Sequence, residues 1–74
     1  KGARKKLLVE AKSTILGSMA LEFGWLRTVA VRARDAGREP ALTISFVSVD
    51  GKGKPDGDWV CVPKSLFLEL VEDE

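Results

Sequence analysis

The sequence has no histidine and no tyrosine, and only one cysteine and one methionine in 74 residues. Without histidine there is no nucleophile–His catalysis and no His-ligated metal. A single cysteine, Cys61, forms no internal disulfide and no structural zinc site. No apolar run approaches the roughly 18–20 residues that span a bilayer. There is no initiator Met and no signal peptide; the chain opens on Lys-Gly-Ala-Arg-Lys-Lys. The expected location is intracellular and cytoplasmic, with no membrane association.

What is present reads as a folded domain. Hydrophobic residues make up 45% of the chain and charged residues 31%, which excludes a disordered tail. The length allows one small domain, and a chain this short buries only about 60% of its unfolded surface. A thin core without disulfide or metal suggests that residues 1–74 are either a single domain or the C-terminal part of one. The net charge of +1 hides an asymmetry. Lys1, Arg4, Lys5, Lys6 and Lys12 stand against Glu10 at the start, and Arg27, Arg32, Arg34 and Arg38 against Asp35 further on. The chain ends on Glu69, Glu72, Asp73 and Glu74. A basic first half suits an anionic partner such as nucleic acid; a solvated charged surface looks the same.

The pattern along the chain predicts five elements. Residues 5–13 read as a strand, with Leu7, Val9 and Ala11 on one face as its anchor and Leu8, Glu10 and Lys12 on the other. Residues 14–20 connect to a helix over 22–36, whose apolar face holds Leu21, Trp25, Leu26, Val29, Ala30, Ala33 and Ala36. Arg27, Arg34 and Arg38 bunch on its polar side. Gly37 fits a left-handed cap, and Pro40 forbids continuation. Residues 41–49 form the clearest strand, 50–57 a mobile loop, and 58–62 a return strand. Pro63 opens a closing helix with Leu66, Phe67, Leu70 and Val71 on its apolar face and a fraying acidic end. The fold class is α/β: a small mixed sheet with a βαβ unit, then a hairpin strand and a C-terminal helix.

Most chemistry-bearing residues read as ordinary structure. Gly51-Lys52-Gly53-Lys54 lacks the spacing and the strand–helix setting of a phosphate loop. Cys61, mid-strand with no activating histidine, reads as a small apolar residue. Trp25 and Trp59 read as core or half-buried packing residues. Glu10-Ala11-Lys12 is different. Residues two apart on a strand share a face, so a carboxylate and an ammonium stand side by side. Phosphodiester hydrolysis uses such a pair: the carboxylate ligates Mg²⁺, and the lysine orients water or neutralises developing charge. A surface ion pair contributing under about 1 kcal/mol has the same sequence.

The segment Leu7-Leu8-Val9-Glu10-Ala11-Lys12-Ser13-Thr14 resembles the (D/E)xK strand of the PD-(D/E)XK nuclease superfamily, in its Glu-x-Lys-Ser/Thr form. The stretch from Trp25-Leu26 to Ala33, then Gly37-Arg38-Glu39-Pro40-Ala41-Leu42 and Phe46-Val47, is similar to the Holliday-junction-resolvase-like branch, including small phage-encoded members. Trp59-Val60-Cys61-Val62-Pro63 resembles the strand that often follows there. The resemblance covers nearly the whole order of elements, while only Glu10 and Lys12 belong to the catalytic signature. It implies an incomplete restriction-endonuclease-like core and a metal-dependent DNA endonuclease, with branched DNA as a candidate substrate. Glu10 would be catalytic and ligate Mg²⁺ or Mn²⁺, and Lys12 would be catalytic. Ser13 and Thr14 would support the site or serve as ordinary strand-end hydrogen bonders. Lys5, Lys6 and Arg34, with Arg27 and Arg38, would contact the DNA backbone.

One departure stands out. The superfamily draws a second acidic residue from a strand before the Glu-x-Lys strand, and no acidic residue precedes Leu7. Asp50, Asp56 and Asp58 fall in the hairpin tip, and Glu22 opens the helix. The expectation is therefore a chain inactive by itself, completed by an upstream segment, a homodimer partner or another chain. In a host cell a phage-encoded protein would sit in the host cytoplasm. Two other readings stay open: a non-catalytic nucleic-acid-binding module of the same fold, and a structural or interaction domain.

Overall fold

A computed structural model describes residues 6–72. The order is β1 (Leu7–Thr14), α1 (Phe23–Asp35), β2 (Glu39–Val47), β3 (Gly53–Cys61) and α2 (Lys64–Glu72). The sheet runs β1-β2-β3, with β1 parallel to β2 and β3 antiparallel to it. This is the expected small mixed sheet with two helices. The expected fraying of the acidic end falls on Asp73 and Glu74, outside the described residues, as do Lys1, Arg4 and Lys5.

Chain punctuation ends α1 where the glycine and proline predict. Gly37 adopts φ +68°, a left-handed conformation open to glycine without a Cβ penalty. The Arg38 N–H donates to the Ala33 carbonyl (2.8 Å) and the Gly37 N–H to the Arg34 carbonyl (3.1 Å). These two bonds are a Schellman motif, and they satisfy carbonyls that a helix end leaves open. The Glu39 N–H then donates to the Lys6 carbonyl (2.9 Å), so the turn delivers the chain straight into parallel pairing with β1. Arg32 and Arg34 occupy the last helical turn, where the dipole favours positive charge.

The core lies between α1 and one face of the sheet. Val29 and Ala33 of α1 are buried, and so is Leu42 of the central strand, at 1% exposure. By register Leu42 shares its face with Glu10 and Cys61, and Ile44 with Lys12 and Trp59. The helix therefore covers the face of β1 that carries Leu8, Glu10, Lys12 and Thr14. The expectation that Leu7, Val9 and Ala11 anchor the strand is reversed. They lie on the opposite face and are exposed, with Val9 at 52%. Alternation separates the two faces of a strand correctly but does not say which one a helix will choose.

Further corrections concern the C-terminal half. In α2 only Leu66 is buried; Phe67, Leu70 and Val71 are exposed because α2 has little packed against it. Trp59 is also 61% exposed, with its indole N–H donating to the Asp56 carbonyl (2.9 Å). The loop over 50–57 is mostly not a loop. Strand β3 starts at Gly53, and the turn spans only residues 48–52. Residues 54–57 of β3 bulge opposite Phe46, between the pairs Ser45–Asp58 and Val47–Gly53.

The turn is organised by one carboxylate. The Ser48 hydroxyl donates to Asp50 Oδ1, and the Lys52 N–H donates to the same oxygen (3.2 Å). The Ser48 bond foremost, then the Lys52 bond, holds the Asp50 carboxyl below its ordinary value of 3.8. A carboxylate depressed by folding stabilises above its unfolded pKa, and that contribution disappears as pH falls through the lower folded value. Turn stability is therefore expected to drop below pH 3.8. Asp50→Asn keeps the acceptor oxygen and removes the titration, so its Lys52 amide resonance should stay put over the acid range where the wild-type signal moves.

Candidate functional site

Glu10 and Lys12 project side by side from β1, both half-buried, on the face covered by α1. Two residues of α1 meet them. Arg32 Nη1 donates to Glu10 Oε2, forming an ion pair. The Lys12 ammonium stands 4.6 Å from the centre of the Trp25 ring. The helix crosses back over the strands, so its start lies near the end of β1. Trp25 and Arg32 are seven residues apart, two helical turns, and fall on one face. Val29 lies between them and is buried. Val29 thus seats the helix between them, while the flanking tryptophan and arginine engage the two charges of the strand.

Neither contact is strong. The Arg32 side chain is 61% exposed and that of Glu10 35%, and pairs this exposed contribute about 0–1 kcal/mol. A cation over an indole at a partly open site adds about 0.5–1 kcal/mol. The pair is held in place rather than locked.

Ser13 faces the opposite side of the sheet from Glu10 and Lys12. Thr14 is a strand-end hydrogen bonder: its Oγ1 accepts the Leu16 N–H (3.0 Å). Lys6 is exposed just before β1, and Lys5 lies outside the described residues. Arg34 is exposed on α1 and, with Arg27, borders a groove of about 620 Å³. That groove lies between α1 and the strand ends, lined by apolar residues such as Leu26, Ala30, Leu42 and Cys61. It includes neither Glu10 nor Lys12. The expected basic contacts and the Glu-x-Lys pair thus do not share that cavity.

The donor set decides what the pair holds. Among the described residues no three His, Cys, Asp or Glu side chains cluster to hold a metal ion. The one carboxylate present is turned onto a guanidinium. Mg²⁺ is bound through one or two carboxylates plus substrate phosphates and waters, and a carboxylate shared with arginine is a poor ligand. The described residues of one chain do not fit the ion.

Arg32 and Trp25 are the partners that sequence reasoning missed. In the sequence Arg32 belongs to the basic residues of the helix and Trp25 to its apolar face. Their seven-residue spacing was the available signal, and it needed the choice of sheet face to become readable.

Comparison with known proteins gives no match to a family model, a curated protein or a solved structure.

Proposed function

We propose that the chain belongs to a DNA endonuclease domain of PD-(D/E)XK type, in which Glu10 and Lys12 are half of a phosphodiester-hydrolysing site. One observation carries the reading. The carboxylate and the lysine stand together on an outer strand of the sheet, in a βαβ unit of the expected order. The outer side of that strand is open among the described residues, which leaves room for another acidic group. The other half of the site comes from a second chain or an added segment. The Mg²⁺ or Mn²⁺ that such a domain uses belongs to the completed assembly.

A second reading rests on the Arg32 contact. A carboxylate committed to an arginine suits a module that binds nucleic acid without cutting it. Arg27 and Arg34, exposed on α1, then act with Lys6 as phosphate contacts, which supply affinity without sequence information.

Cleavage and binding of linear and four-way-branched DNA, with and without Mg²⁺, separate these readings. The endonuclease reading expects metal-dependent cleavage that rises with protein concentration and disappears in Glu10→Gln and Lys12→Met. Both variants should change folding stability by no more than about 1 kcal/mol. Salt-sensitive binding without cleavage, weakened in Arg27→Gln and Arg34→Gln, favours the second reading. A folded protein that neither binds nor cuts DNA, both as this chain and extended upstream of Lys1, refutes both.

A further inference from the structure

The outer edge of β1 carries a pattern that fits a second copy of itself. β1 is the end strand of the sheet, and among the described residues nothing pairs with its outer side. Backbone direction alternates along a strand. The Lys6 carbonyl accepts from Glu39, and the Glu10 carbonyl lies within reach of the Thr43 hydroxyl, so the even-numbered residues turn their backbone groups toward β2. Leu7, Val9, Ala11 and Ser13 therefore turn theirs outward. Such a row of open N–H and C=O groups is a template for another strand.

From this edge we infer that two copies of the chain pair antiparallel through β1, with the two-fold axis at Ala11. Charge selects that register. With Ala11 opposite Ala11, Glu10 of each copy faces Lys12 of the other, and Val9 faces Ser13. All three outward-facing rungs, Val9–Ser13, Ala11–Ala11 and Ser13–Val9, then exchange hydrogen bonds. Moving the axis to Glu10 sets Glu10 against Glu10. Moving it to Lys12 sets Lys12 against Lys12, and moving it to Val9 sets Lys12 against Lys6. Like charges directly opposite destabilise a pair of strands, and opposite charges stabilise it. Of these axis positions, only Ala11 pairs opposite charges.

The contacts within one chain leave this pairing free. Arg32 takes Oε2 of Glu10, so Oε1 is open to the lysine of the second copy. Lys12 rests its ammonium on Trp25, which uses the ring face and leaves N–H donors available. The axis runs perpendicular to the sheet, so both α1 helices lie on one side of a continuous six-stranded sheet. The two Glu-x-Lys pairs then meet on that side, with the two Glu10 carboxylates as diagonal neighbours about 7–8 Å apart at their backbones. The inference stands on the open edge and the register rather than on the nuclease reading. Its test uses no DNA, so it and the nuclease reading fail separately.

The test is the molar mass in solution across a concentration series, by light scattering or sedimentation. Wild type is expected to dimerise. Glu10→Lys and Lys12→Glu, each alone, place like charges opposite one another and are expected to be monomers. Mixed in equal amounts they restore two opposite-charge pairs and are expected to form a dimer containing one of each. Ala11→Pro deletes an outward N–H that bonds nothing within the chain, which an edge strand tolerates. It is expected to be a monomer with an unchanged circular dichroism spectrum. In a Cys61→Ser background, Ala11→Cys is expected to cross-link under mild oxidation, whereas Phe23→Cys, exposed on α1, is not. If Ala11→Pro loses its fold, the cross-link decides alone. A wild type that stays monomeric throughout overturns the inference. So does a dimer that survives folded Ala11→Pro, or an Ala11→Cys that cross-links no better than Phe23→Cys.

Discussion

Leu42→Ala is expected to destabilise the fold by about 2–5 kcal/mol, the range for removing a buried leucine and leaving part of its cavity behind. A domain of this length has a total stability of roughly 4–11 kcal/mol, so the variant should lose a large share of it. Leu42 is the largest fully buried side chain. It lies on the central strand, between Glu10 of β1 and Cys61 of β3 in register, beneath the helix. The groove beside it is already open, so water reaches the new space instead of the helix closing over it. The check is the urea midpoint, with Leu70→Ala as control. Leu70 is more than half exposed, and its loss should change stability by less than about 0.5 kcal/mol.

Gly57→Ala is the second large effect, at about 1–3 kcal/mol or more. Gly57 is a buried residue within the bulge of β3. A Cβ there would lie 2.6 Å from the Phe46 carbonyl oxygen and 3.0 Å from that of Lys54. Both are backbone atoms, one in the central strand and one inside the bulge, so neither swings aside as a side chain does. The bulge has to open, which disturbs Asp56 at φ +58° and the bond its carbonyl accepts from the Trp59 indole N–H. Gly53→Ala is the matched control, because nothing lies within 4 Å of a Cβ at that position. Far-UV spectra and thermal melting of the two variants separate steric strain from the general cost of replacing glycine in a strand. Equal melting temperatures would refute the steric account.

These two residues also mark how far the sequence can be read. The elements and their order were legible because their signals are local. Alternation marks β1, Gly37 and Pro40 mark the helix end, and alternating Leu42, Ile44 and Phe46 mark β2. Glu10 and Lys12 were legible as a pair sharing a face for the same reason. The choice of face was not, because Leu7 and Val9 on one side and Leu8 on the other make similar claims on a single helix. Tertiary packing decides between them, and it brings Arg32 and Trp25 to the pair. The bulge was hidden for another reason. Gly53-Lys54-Pro55-Asp56-Gly57 has the composition of a loop, and only the approach of the Phe46 carbonyl reveals that Gly57 is needed inside a strand. The apolar residues of α2 looked like a core face because periodicity records what a helix can bury, not whether a surface is there to receive it.

The parallel pairing carries a kinetic consequence. All eight β1–β2 pairs join residues thirty-two positions apart, from Leu7 with Glu39 to Thr14 with Phe46. The β2–β3 pairs span far shorter stretches, down to Val47 with Gly53. Loop closure has to precede the first of the long pairs. The hairpin and α1 can form on local contacts, so β1 is the strand that joins last. The segment bearing Glu10 and Lys12 is then expected to be the last part of the sheet to reach its place.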